Sequence, residues 1–345
     1  MIMRMVDVAI IGASGFTGAE MLRLLAGHPD MNLVYATADT QAGRPVASLY
    51  PGLAAAYPDL AMESFEPERV DGADLVVLGL PHQASMALAP DLIGRVGCIV
   101  DLSAAYRLKD ASLYPQWYGF DHDQPALLAE AVYGLPERTR VELVGARLVA
   151  TPGCYVTAAT MALAPLLDAG LIDPTGLIVD AASGVSGAGR APTPTNAFCT
   201  VDENFSAYGL LDHRHTPEIE QNLGGAQVLF TPHLAPMNRG ILATCYARPA
   251  AGADLDTGGL LAILRQAYAD EPFVVVIDGP PSTKSTLGSN TVHVTARYDA
   301  RTGYVMAIAA LDNLTKGASG GALQAANVAL GLPETAGLPN VGVAP

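Results

Sequence analysis

An α/β fold in two domains is predicted, the first built on a parallel sheet and the second an α+β domain with a mixed β-sheet. Three observations carry it. Up to about residue 152 short β-branched runs alternate with helical ones. Beyond that point the texture changes to strand-like runs with few helical stretches between them. A chain of 345 residues also exceeds one ordinary core and suits two.

Composition narrows the function classes. Half of the residues are hydrophobic, which excludes extended disorder. A formal charge of -15, from 34 acidic against 19 basic residues, argues against nucleic-acid and membrane partners while leaving room for a local basic pocket. Cys98, Cys154, Cys199 and Cys245 are widely spaced and form no CxxC pair, as expected of a reduced, cytoplasmic protein. No apolar run approaches the ~18 residues of a membrane span. The apolar start passes directly into a glycine loop and is expected to be a first strand rather than a leader.

That strand, 6–11, leads into Gly12-Ala13-Ser14-Gly15-Phe16-Thr17-Gly18 and a helical pattern over 19–26. Strand, glycine turn and helix open a dinucleotide-binding βαβ unit, so the first domain is expected to be Rossmann-like. The glycines let backbone N–H groups and a helix N-terminus approach a pyrophosphate, which makes Gly12, Ser14, Gly15, Phe16 and Thr17 candidate cofactor residues. A second strand, 32–38, ends where such a unit chooses its cofactor. There Asp39 suits a ribose 2′-hydroxyl and favours NAD, whereas Thr37, Thr40 and Arg44 suit a 2′-phosphate and favour NADP.

Strands at 74–80 and 97–102 follow, with polar residues at their C-terminal ends, where α/β sheets bind ligands. His82 and Ser85 are cofactor-side candidates, and Arg107 offers a fork for phosphate or carboxylate. Residues 108–140, rich in Tyr, Pro and Gly, show no long periodicity and are expected to be an ordered loop region. A fifth strand, 146–150, then delivers Thr151-Pro152-Gly153-Cys154-Tyr155. The Ala/Leu/Met-rich segment 156–169 is expected to be helical. Cys154 would then stand near a positive helix end, which lowers a thiol's pKa and favours the thiolate.

In the second domain strands are expected at 176–182, 226–234, 239–247, 273–277, 291–298 and 304–311, the last two joined by a hairpin at Asp299-Ala300-Arg301-Thr302-Gly303. A closing helix, 318–330, and its tail are expected to pack back on the first domain. The expected division is therefore 1–152 with 316–345, and 153–315.

Two polar clusters lie in this domain. Ser183-Gly184-Val185-Ser186-Gly187-Ala188-Gly189-Arg190 combines small residues, which permit close backbone approach, with a cation. His213-Arg214-His215-Thr216-Pro217-Glu218 precedes a short helix, with Thr216 the expected N-cap and Pro217 the expected first helical residue. The histidine pair lacks further ligands for zinc, so no metal is expected. Acid/base partner of a thiolate is the sharper reading, and a thiolate beside a nicotinamide cofactor means aldehyde-level redox chemistry.

Together these motifs resemble the N-acetyl-gamma-glutamyl-phosphate reductases (type 1) of arginine biosynthesis, over nearly the whole chain. The resemblance rests on the glycine loop, Leu80-Pro81-His82, Asp101-Leu102-Ser103-Ala104-Ala105-Tyr106-Arg107, Tyr133-Gly134-Leu135-Pro136-Glu137 and Pro152-Gly153-Cys154-Tyr155. It continues through Ser186 to Arg190, His213 to Ile219, Asn238-Arg239-Gly240-Ile241 and Asp312-Asn313-Leu314-Thr315-Lys316-Gly317. It implies an NADP(H)-dependent reductase of a small acyl phosphate, working as a homodimer or homotetramer. By motif match it makes Cys154 the nucleophile and His213 the acid/base. Arg107, Ser183, Arg190 and His215 then fall to the substrate, and Thr37, His82 and Asn313 to the cofactor. Aspartate-semialdehyde dehydrogenase and a reductase of a carrier-linked aminoadipyl phosphate are the neighbouring readings. A cofactor-sensing binding protein is the reading from another class.

Overall fold

The computed structural model describes residues 4–343. Chain contacts divide it into two units, one running to Pro152 and including Ala318–Leu338, the other comprising Gly153–Gly317 and the residues from Pro339 onward. The first unit holds strands β1 (Val6–Ile11), β2 (Met31–Thr37), β3 (Leu75–Leu78), β4 (Cys98–Asp101), β5 (Val132–Tyr133) and β6 (Leu148–Ala150). Its helices are α1 (Phe16–Leu25), α2 (Val46–Leu49), α3 (His82–Leu92), α4 (Tyr114–Tyr118), α5 (Pro125–Glu130) and α6 (Pro136–Leu143). The second unit holds α7 (Cys154–Asp168), α8 (Phe198–Val201), α9 (Thr216–Asn222) and α10 (Thr257–Ala267). Its strands are β7 (Leu177–Gly184), β8 (Ser206–Ala207), β9 (Val228–Ala235), β10 (Ile241–Ala247), β11 (Val274–Val276), β12 (Val292–Asp299) and β13 (Tyr304–Leu311). Helix α11 (Gly320–Ala329) belongs to the first unit.

The first unit is a parallel sheet in the order β2-β1-β3-β4-β6-β5. Val8, Ile10, Val77 and Val100 face a core shared with α1 and α11, while Ala9, Ile11, Val76 and Ile99 face another shared with α3, Tyr106 and Tyr114. Strands buried on both faces read as unbroken apolar runs, which is why they were legible. The strand order reverses at β1, and that switch point is where a doubly wound sheet opens a crevice at its carboxyl ends.

Residues 108–140 depart from the expected loop, because α4, α5 and the start of α6 lie there with β5 between them. Each of these helices carries a proline in its first two positions, and at five to eight residues each is too short to display a period.

The second unit is a mixed sheet in the order β11-β12-β13-β10-β7-β9-β8. Alternate residues of β7 and β10 are buried against α7, which is apolar on almost every side. The hairpin between β12 and β13 is closed by Asp299, whose carbonyl accepts the Thr302 and Gly303 N–H groups. Helix α10 was not expected. Gly258 and Gly259 dilute its first turn, where the Asp256 carboxylate accepts the Gly259 N–H at 2.6 Å, and Leu260, Leu261 and Leu264 supply its buried side. At α9 the cap is His215, not Thr216, which is itself the first helical residue.

The tail also differs from expectation. Residues as far as Leu338 belong to the first unit, but Asn290 N donates to Pro339 O at 2.7 Å and Val343 N to Leu287 O at 2.9 Å, both within the second. Among the described residues no helix is long and apolar enough to cross a membrane.

Candidate active site

In the first unit the chain leaves β1 into a turn that only glycine can make. Gly12 has φ +97°, and a Cβ there would overlap Gly79 O, at the end of β3. Gly12 N and Ala13 N both donate to Thr37 O, at 3.2 and 2.7 Å, which ties the loop to the end of β2. Gly15 caps α1 with no side-chain hydrogen bond, and the first turn carries no acid. The N-terminal N–H groups of α1 are thus unshielded by carboxylates, and Ser14, Gly15, Phe16 and Thr17 are all partly accessible. This set fits the pyrophosphate of a dinucleotide by backbone donors and helix dipole together.

In the second unit the corresponding corner is Gly153-Cys154. Gly153 caps α7 in an extended conformation, so Cys154 is the first residue of a fifteen-residue helix and remains partly accessible. Two glycines make close approaches at this corner, one to Cys154 and one to His215. A Cβ at Gly317 would come 2.8 Å from Cys154 Cβ, and a Cβ at Gly153 would overlap His215 Nε2. The buried carboxylate of Glu218 accepts the Gly153 N–H at 2.9 Å. His215 and Glu218, three residues apart at the start of α9, therefore both bear on the residue that precedes the thiol.

His213 occupies a different place. Its Nδ1 accepts the backbone N–H of His215 at 3.1 Å, and Tyr155, Tyr208, Phe230 and His215 surround its ring at centroid distances of 4.8–5.8 Å. Burial, helped by the Arg214 guanidinium, pushes the imidazole down to about 4. The Tyr208 hydroxyl donates to that of Tyr155 at 3.1 Å, which in turn donates to His233 O at 3.0 Å. Burial raises both phenols, Tyr208 to about 12, so both stay protonated at neutral pH.

With this geometry in view, the comparisons with known proteins are specific. The family model described as semialdehyde dehydrogenase, NAD binding domain, matches residues 7–146, and that described as semialdehyde dehydrogenase, dimerisation domain, matches 154–313. A protein of Citrifermentans bemidjiense named N-acetyl-gamma-glutamyl-phosphate reductase is 46% identical over 350 residues, covering 99% of this chain and 100% of its own. One of the same name from Acidothermus cellulolyticus is 48% identical over 351 residues, covering 98% and 99%. The chain belongs to the N-acetyl-gamma-glutamyl-phosphate reductase family. The fold is shared more widely. The crystal structure of Vibrio cholerae aspartate semialdehyde dehydrogenase II complexed with ASA aligns with TM-score 0.70 at 17% identity, covering 94% of this chain and 98% of that one. The Candida albicans enzyme with NADP aligns at 0.67 and 15%, covering 94% and 98%.

The other residues singled out in the sequence are distributed as follows. Thr37 is buried, and its hydroxyl faces Gly12 N at 3.4 Å, so it braces the glycine loop. Asp39 and Arg44 are exposed beyond β2, with Arg44 bonded to Gln41. His82 opens α3, half-buried, and its Nδ1 accepts Ala104 N at 3.0 Å. Ser85 is fully buried against the Asp101 carboxyl, which removes it from the cofactor side. Arg107 is buried and donates to Thr151 O at 2.6 Å and Leu102 O at 3.0 Å.

In the second unit Ser183 is buried at the end of β7, where a Cβ at Gly187 would lie 2.9 Å from its hydroxyl. Arg190 is half-buried, with no hydrogen bond or ion pair among the described residues. Asn313 accepts Gly240 N at 2.7 Å and donates to Ser186 Oγ at 3.0 Å, tying the loop after β7 to the end of β13. Sequence reasoning passed over Glu218, Tyr155 and Tyr208. The first had a legible signal, an acid one helical turn after His215. The tyrosines had none, since β8 and β9 bring Tyr208 to Tyr155 across 53 residues.

Proposed function

We propose that this chain reduces N-acetyl-L-glutamyl 5-phosphate to N-acetyl-L-glutamate 5-semialdehyde with release of phosphate, using NADPH, as a step of arginine biosynthesis. The observation that carries the reading is Cys154 at the first position of α7 with His215 set against Gly153 beside it. The names of relatives 46–48% identical over the whole chain select the substrate from the other acyl phosphates.

Cys154 is the nucleophile. His215 takes its proton, and the Glu218 carboxylate, one turn on, supports the imidazolium that results. The sequence expectation gave the acid/base role to His213. The geometry favours His215, because His213 spends Nδ1 on the backbone and is enclosed by aromatic rings. The thiolate attacks the acyl carbon, phosphate leaves, and the acyl group is held as a thioester on Cys154. N–H groups in the first turn of α7 stabilise the oxyanion. Gly12, Ser14, Gly15, Phe16 and Thr17 would hold a nicotinamide dinucleotide, whose chemistry would be to supply the hydride for reduction of the acyl group to the aldehyde level. His215 then returns its proton as the thiohemiacetal collapses to aldehyde and free Cys154.

Gly12, Ser14, Gly15, Phe16 and Thr17 would hold the pyrophosphate, with Thr37 bracing the loop. His82 and the uncommitted N–H of Asn313 are assigned to the rest of the cofactor. Arg190, half-buried and unpaired among the described residues, is assigned to the substrate's phosphate or carboxylate. Arg107, its guanidinium held by two carbonyls, is a second preset cation. Self-association as a homodimer is supported by the description of the domain matched over 154–313 and by the second face of its sheet, where Ile178, Leu242, Tyr246, Met306 and Ile308 remain half-exposed. Four free cysteines support a cytoplasmic setting.

The test is oxidation of N-acetylglutamate semialdehyde by purified protein with phosphate and either NADP or NAD, with aspartate semialdehyde as the competing substrate. The expected result is phosphate-dependent turnover of the acetylated substrate, faster with NADP. Cys154→Ser should reduce kcat by roughly three orders of magnitude or more with the fold retained. Preference for aspartate semialdehyde, or near-normal turnover by the serine variant, would overturn the assignment.

A further inference from the structure

We propose that His213 is a positioning residue, whose imidazole fixes the turn that sets His215 against Gly153. The proposal rests on the reading of His215 as the partner of Cys154.

The turn is built from the His213 side chain outward. Its Nδ1 accepts the N–H of His215 at 3.1 Å, and its carbonyl accepts that of Thr216 at 3.0 Å. One residue thus holds the chain on both sides of His215 at the point where α9 begins. The first bond also fixes the ring's tautomer, because a nitrogen that accepts carries no proton, so the hydrogen of neutral His213 lies on Nε2.

The ring cannot swing out of this arrangement. Tyr155 and Phe230 meet it edge-on, at interplanar angles of 87° and 88°, and Tyr208 meets it at 67°. Behind it Gly209, at φ +54°, leaves room for only a hydrogen, since a Cβ there would lie 3.1 Å from His213 Cδ2. The two phenols are bonded to each other and to His233 O, so they form a fixed wall. The groups that bear on its charge are the guanidinium of Arg214, the phenols of Tyr155 and Tyr208, and the imidazole of His215. Burial among them keeps His213 neutral at pH 7, as an acceptor must be.

An acceptor two residues before the N–H it holds is something asparagine also provides. Asparagine, however, cannot carry a proton between pH 5 and 9. His213→Asn and His213→Phe therefore separate positioning from proton transfer, with His215→Asn as the reference. The assay is kcat and its pH profile in the semialdehyde oxidation, with far-UV circular dichroism to check the fold.

Loss of the acceptor in His213→Phe should lower kcat by ~10²-fold, the usual cost of a misplaced catalytic group. His213→Asn should recover most of that loss and keep the wild-type pH limb at its wild-type midpoint. His215→Asn should fall by ~10²–10⁴-fold and lose the limb. A His213→Asn enzyme that falls as far as His215→Asn, or loses the limb, overturns the proposal, and this comparison holds even if the phenylalanine variant does not fold. A near-normal His215→Asn enzyme would instead overturn the underlying reading of His215.

Discussion

At Gly153 a methyl group would overlap His215 Nε2, although the backbone there, at φ -68° and ψ 145°, is open to any residue. Gly153→Ala therefore separates packing from backbone strain. His215 must move, and the Glu218 carboxylate that holds Gly153 N is next in line. We expect kcat to fall by ~10²-fold while the melting temperature changes little, and equal kcat in the two proteins would remove the close contact from the mechanism. Cys154 itself was legible, because a Pro-Gly break followed by an apolar helix puts a cysteine at a helix start whatever surrounds it. The division of labour between His213 and His215 was not. Both lie in one turn, and which of them meets Gly153 depends on a ring nitrogen capping an N–H two residues on, a contact that no spacing rule encodes.

Among the elements, β1, β2, β3, β4 and β6 of the first unit were read to within two residues at either end, since burial on both faces leaves an unbroken apolar signature in β1, β3 and β4, whereas the two-residue β5 lay hidden in the expected loop. Helices α4 and α5, at five and six residues, leave none, and α10 hides its amphipathic face behind two glycines in its first turn. The glycine loop shows how sharply one element can be specified. Gly12 stands at φ +97° with Gly79 O against its α-carbon, so Gly12→Ala meets a disfavoured dihedral and a backbone atom that cannot rotate aside. Strain of this kind costs about 1–3 kcal/mol. The first unit should unfold at lower denaturant and the Kd for NADP should rise at least tenfold, measured by urea titration and by quenching of protein fluorescence. An alanine variant with wild-type stability and affinity would mean that the loop relaxes away from β3.

Across the whole molecule, strand order and the split tail were beyond sequence reading because they are set by contacts between distant segments, as when Asn290 N reaches Pro339 O. A property of the same scale emerges from the histidines. In His28, His122 and His213 the ring Nδ1 accepts a backbone N–H two residues on, from Asp30, Gln124 and His215 respectively. Burial lowers the pKa of all three, and of His293 as well. Protonation would set a ring N–H against a backbone N–H at three separate turns. Because the folded values lie below the unfolded 6.5, the unfolded chain binds more protons in this range and stability rises with pH. The contribution is complete above 6.5 and is lost as pH falls below it, down to about 4 for His213. The melting temperature should therefore drop between pH 7.5 and 5. In a His28→Asn, His122→Asn double variant, which keeps an acceptor at both turns and leaves the Cys154 corner untouched, the drop should be smaller. A melting temperature that stays flat over this range, or a drop equal in the two proteins, would show that these turns do not govern the acid response.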